Sequence, residues 1–159
     1  MADNLYHEPG LRNTSRIFQD RFEAGDRLAA VLREHYGRLE ESMVLAIPSG
    51  GVPIGLRVAK GLGCPLDLII VRKIQIPGNT EAGFGAMSQD GEVFLNEGLV
   101  RQLGLSQEQI EAQKREVEKE LAIRNRELRG GQAFPDLTGK TVFLTDDGLA
   151  SGFTMLASI

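Results

Sequence analysis

Two adjacent carboxylates, Asp146 and Asp147, close the apolar run at 141–145, and small and hydroxyl residues follow them: Gly148, Leu149, Ala150, Ser151, Gly152, Phe153 and Thr154. Amides of a loop that opens a helix point their N–H groups at an anion, and the helix dipole adds a favourable field. Gly148 and Gly152 let the backbone turn and come close, and Ser151 and Thr154 add hydroxyl donors. The acidic pair can accept from vicinal hydroxyls, directly or beside a metal ion. A phosphate on the loop and hydroxyls on the acids together describe a ribose 5-phosphate. Asp-Asp-Gly alone also fits a solvated turn after a strand; Ser-Gly-Phe-Thr behind it makes the signal far more specific.

A second loop has the same logic. Pro48-Ser49-Gly50-Gly51-Val52-Pro53 separates the apolar run Met43 to Ile47 from a helical stretch, Ile54 to Lys60, with Pro53 in its first turn. It reads as an anion loop or, alone, as a tight turn. Arg72 and Lys73 end a third apolar run, Leu66 to Val71. Cations at a strand's carboxyl end can neutralise a polyanion, Arg in two-pronged fashion. Open α/β sheets bind ligands at the carboxyl ends of neighbouring strands, which would bring all three groups together.

The positioning elements follow from periodicity. Residues 1–17 form a polar N-terminal arm and 18–159 one domain. Phe18, Phe22, Leu28, Leu32 and Tyr36 mark an amphipathic helix over 18–36, with Arg21 facing water and Gly37 as its stop. Residues 74–92, with Pro77, Gly78, Asn79, Glu81 and several glycines, read as a long lid-like loop. Glu92 to Leu95 suits a short strand. Ser106 to Arg129 is a strong helix, opened by a Ser106/Gln109 capping box and closed by Gly130-Gly131. Alternating βα units give an α/β parallel sheet with helices on both faces.

The 141–154 stretch resembles the PRPP-binding motif of the type I phosphoribosyltransferases: apolar strand, two acids, a short spacer, Thr/Ser, Gly, any residue, Thr. Phe18 to Gly25 and the 76–86 loop are similar to those of family members with unassigned substrate. The resemblance implies the type I phosphoribosyltransferase fold and transfer of the phosphoribosyl group of PRPP to a nitrogenous base. It assigns pyrophosphate to Pro48, Ser49, Gly50, Gly51, Arg72 and Lys73, and ribose 5-phosphate to residues 146–154. Pro77, Gly78, Asn79 and Glu81 become a flexible lid loop. Mg²⁺ is the implied cofactor, met indirectly by Asp146 and Asp147, and a homodimer the implied assembly. A cis peptide is expected before Gly50 or Gly51. Relatives usually carry Arg at Ser49, which raises an alternative: a catalytically weak member that binds PRPP or nucleotides as a regulator. The chain stops on Met155-Leu156-Ala157-Ser158-Ile159, apolar residues inside an expected helix, so a further C-terminal part is expected to complete the sheet and the hood that selects the base.

Composition agrees with one globular domain. The 159 residues are 42% hydrophobic and 25% charged, and the net charge of −4 disfavours a general nucleic-acid role. One cysteine, Cys64, excludes an intrachain disulfide framework. No run of apolar residues is long enough for a membrane span, so a cytoplasmic protein is expected.

Overall fold

The computed structural model describes Tyr6, His7 and residues 9–11, 17–148 and 152–158. The central strand is β1 (Ser42–Ala46), buried along its whole length. It pairs in parallel with β2 (Leu66–Leu68) on one side and β6 (Thr141–Thr145) on the other, Val44 standing opposite Leu66 and Phe143. Successive side chains point to opposite faces. Val44 and Phe143 therefore meet α1 (Arg21–Tyr36) and α2 (Gly51–Leu62) through Ala29, Ile54 and Val58. Met43, Leu45 and Ile47 meet Phe134, Leu137 and Met155 on the other face. Met155 belongs to the short helix α5 (Phe153–Leu156).

The face that α1 buries is narrower than its sequence suggests. Its helical turns begin after Asp20, whose carboxylate accepts from Glu23 N at 2.9 Å. Gly25 and Ala29 are its buried residues, while Phe22, Leu28 and Tyr36 are exposed. Small residues win here because α1 and α2 approach closely: a Cβ on Gly25 would lie 2.8 Å from the Ile54 carbonyl, and one on Gly61 would lie 2.5 Å from Ala29 Cβ.

The run expected as one strand over 66–71 divides. After β2 the chain turns a corner at Ile69 and Ile70, both buried and held in different cores, and continues as β3 (Val71–Ile76) of a second sheet. Arg72 and Lys73 thus open a strand rather than end one. The stretch expected as a long loop also has a different form. It is a hairpin, in which β4 (Asn79–Ser88) runs antiparallel to β3 and then pairs with β5 (Val93–Leu95). Its tip is Pro77-Gly78, with Gly78 at φ 78°. Its glycines mark close approach: a Cβ on Gly83 would lie 2.2 Å from Lys73 Cγ, and one on Gly85 would lie 2.5 Å from the Phe94 carbonyl. Ile74, Phe84 and Met87 pack under α3 (Glu97–Leu103) and α4 (Gln107–Arg129). The capping box on α4 is formed as expected, and Gly130 ends the helix in the left-handed conformation.

Candidate functional site

The carboxyl ends of β1 and β6 are held level by a backbone bond: Ile47 N donates to the Thr145 carbonyl at 2.9 Å. The 48–51 loop therefore leaves β1 beside the point where Asp146 leaves β6. A Cβ on Gly51 would lie 2.3 Å from the Thr145 carbonyl, so only glycine lets α2 start this close to the strand. The cis peptide of this loop is Pro48–Ser49, earlier in the chain than either of the two expected bonds. Gly51 N donates to the Ile47 carbonyl at 3.0 Å, which ties the start of α2 back to the end of β1.

An open cleft of about 550 Å³ joins these parts. Pro48, Ser49 and Gly50 line it together with Arg72 and Lys73 from β3 and with Asp146 and Asp147. The acidic pair is not symmetrical. Partial burial pushes the Asp146 carboxyl above its ordinary value. The Arg21 guanidinium holds Asp147 below its own. Arg21 Nε and Nη2 both donate to Asp147 Oδ2, at 2.9 and 2.7 Å. Asp147 in turn stands over the glycine loop, since a Cβ on Gly50 would meet its carboxylate at 2.1 Å.

The two strand-borne cations already have partners. Arg72 Nε and Nη2 donate to Glu120 Oε2 of α4 at 3.0 and 2.8 Å, and Lys73 Nζ donates to the Glu81 carbonyl. Pro77, Gly78, Asn79 and Glu81 lie at the hairpin tip and do not line the cleft. Asn79 Oδ1 instead orders the tip, accepting from Glu81 N at 2.9 Å and Ala82 N at 3.1 Å. Of the second loop, Leu149, Ala150 and Ser151 lie outside the described residues, as do the side chains of Phe153 and Thr154.

Two participants are not evident from the sequence. Arg21 reads there as a residue on the water face of its helix, and Glu120 is one acid among many on α4. The signal that could have found Arg21 is its place in the Phe18 to Gly25 pattern. Among the described residues no three metal-ligating side chains cluster. Mg²⁺ needs no such cage, because one or two carboxylates with substrate phosphates and water are enough.

Known proteins resemble this chain. Residues 13–159 match the family described as the phosphoribosyl transferase domain. Two Mycobacterium tuberculosis proteins, MT0597 of strain CDC 1551 / Oshkosh and Rv0571c of strain ATCC 25618 / H37Rv, are named provisionally as phosphoribosyl transferases. Each is 38% identical over 143 residues, 90% of this chain and 32% of the relative. The chain thus spans about a third of the length of these relatives. The crystal structure of TT1426 from Thermus thermophilus superposes with a TM-score of 0.72 at 35% identity, covering 89% of this chain and 66% of that one.

Proposed function

Because the chain belongs to the phosphoribosyl transferase domain family, we propose that it moves the 5-phosphoribosyl group of PRPP to a nitrogenous base or related acceptor, releasing pyrophosphate. The observation that carries this reading is the shared cleft, where an acidic pair, a glycine loop and two cations from three strands face one volume. The acceptor nitrogen bonds to C1 of the ribose as the bond from C1 to the pyrophosphate oxygen breaks. That bond's electron pair leaves with pyrophosphate, and the acceptor nitrogen loses a proton.

Negative charge grows on the leaving group. Arg72, Lys73 and the N–H groups of Ser49 and Gly50 would stabilise it, a role supported by their place along the cleft wall. Positive charge grows on the ribose ring, and Asp146 and Asp147 favour it while accepting from the ring hydroxyls. Mg²⁺ bound with PRPP would neutralise pyrophosphate oxygens, with Asp146 and Asp147 holding it through water or hydroxyls. The hairpin tip at Pro77 to Glu81 is the segment we assign as the lid, closing by movement toward the cleft.

Incubating the full-length protein with PRPP, Mg²⁺ and a panel of bases, while following pyrophosphate release, tests the reading. Base-dependent release that Asp146→Asn and Asp147→Asn each abolish is expected. Undiminished turnover in both variants would remove the acidic pair from the reaction. The pairing of Arg72 with Glu120 favours a second reading, a PRPP-binding regulator that does not consume its ligand. Metal-dependent PRPP binding with no release across the panel is the signature of that case.

A further inference from the structure

Arg21 is the first residue of α1 and lies 126 positions from Asp147, yet its guanidinium reaches into the cleft. We propose that Arg21 is a pyrophosphate-binding residue, which Asp147 holds in place until the ligand takes it over. The inference rests on the reading of the cleft as a PRPP site.

Three observations carry it. The first is charge. Arg21, Arg72 and Lys73 are the cations that line the cleft among the described residues, against Asp146 and Asp147. Without Arg21 the cleft is neutral, and Glu120 offsets Arg72 further. Pyrophosphate with one Mg²⁺ bound still carries net negative charge, and the excess that Arg21 provides favours it.

The second is geometry. Arg21 presents Nε and Nη2, the two donors of one guanidinium edge, to a single oxygen. That edge can take two phosphate oxygens in parallel. The Asp147 carboxylate that now occupies it packs against Gly50, where the anion loop would meet a ligand. Asp147 thus stands where an anion would stand.

The third is exposure. The Arg21 side chain is 59% exposed and that of Asp147 34%. An ion pair this open to water adds little net stability, so exchanging its partner costs little. The exchange would also release Asp147 to accept from a ribose hydroxyl, so one movement prepares both halves of the site.

Calorimetric titrations of the full-length protein with Mg²⁺-pyrophosphate, and separately with ribose 5-phosphate, test the inference. Arg21→Gln should weaken pyrophosphate about tenfold or more, the loss of a charge-assisted pair, and should not weaken ribose 5-phosphate, because Asp147 is then already free. Arg21→Lys keeps the charge without the two-pronged edge and should restore part of the affinity. Unchanged pyrophosphate affinity in Arg21→Gln would overturn the inference alone. Equal weakening of both ligands would also overturn it, because Arg21 would then act only by holding Asp147. A wild-type protein that binds neither ligand would overturn the PRPP reading, and this inference with it.

Discussion

Gly50 and Gly51 are neighbours in sequence, but a methyl group added to each meets a different obstacle. At Gly50 it meets the Asp147 carboxylate, the far end of an exposed side chain. At Gly51 it meets the Thr145 carbonyl at 2.3 Å and Asp146 Cα at 3.0 Å, which are backbone and cannot turn aside. Gly50→Ala should therefore cost less than about 1 kcal/mol of stability, an ordinary surface change. It should still weaken PRPP about tenfold, because the added methyl enters the space beside the loop that Asp147 now fills and that the anion would take. Gly51→Ala should lose about 2–3 kcal/mol as α2 is pushed from β6. Urea denaturation of the two variants, with PRPP titration of the first, separates the two roles. Equal destabilisation would show that the loop moves as one body. Both glycines are legible in the sequence as parts of an anion loop. Which of them touches the ligand space is not, because that depends on how far β6 extends beside β1.

At the scale of elements, the hairpin of β3 and β4 is where sequence and structure diverge most. Glycines at 78, 83, 85 and 91 look like loop composition. Two of them instead permit strand contact, with Gly83 against Lys73 and Gly85 against Phe94. Composition cannot distinguish a glycine that frees the backbone from one that makes room for a neighbour. Arg72 is legible as a cation near a strand, but its partner is not, because Glu120 is 48 positions away on a helix covered with acids. The pairing has a consequence for binding. Glu120 competes with any anion for the same guanidinium edge, and the exposed pair is weak. Glu120→Gln should then tighten Mg²⁺-pyrophosphate by about threefold to fivefold, corresponding to an exposed pair of under about 1 kcal/mol. Titration at fixed ionic strength measures it. Weaker binding in Glu120→Gln would instead mean that Glu120 aims Arg72 at the ligand.

At the scale of the molecule, the two three-stranded sheets formed by the described residues have separate cores and are fastened by an ion pair whose arginine is buried. Arg129, the last residue of α4, has a side chain only 4% exposed, and its guanidinium meets both oxygens of Asp67 in β2, at 3.0 and 2.8 Å. Its other donations go to Asn125 Oδ1 and to the carbonyls of Gln132 and Ala133, so all five N–H groups are used. Phe134 lies under the guanidinium at 5.5 Å. Asp67→Asn leaves that buried cation without its counter-charge and should cost about 3 kcal/mol. The Arg129 hydrogen bonds hold the Asp67 carboxyl below its ordinary value, despite partial burial that works the other way. Its folded pKa is thus lower than its unfolded one of about 3.9. The contribution of the pair is fully present above that unfolded value and is lost as pH falls through the folded one. Denaturation of wild type and Asp67→Asn at about pH 7, 5 and 3 should show a constant gap at the first two, narrowing below about pH 4. Acid effects from the other carboxylates act on both proteins and cancel in the difference. A gap as wide at the lowest pH as at neutrality would mean that the shape of the side chain, rather than its charge, joins the two sheets.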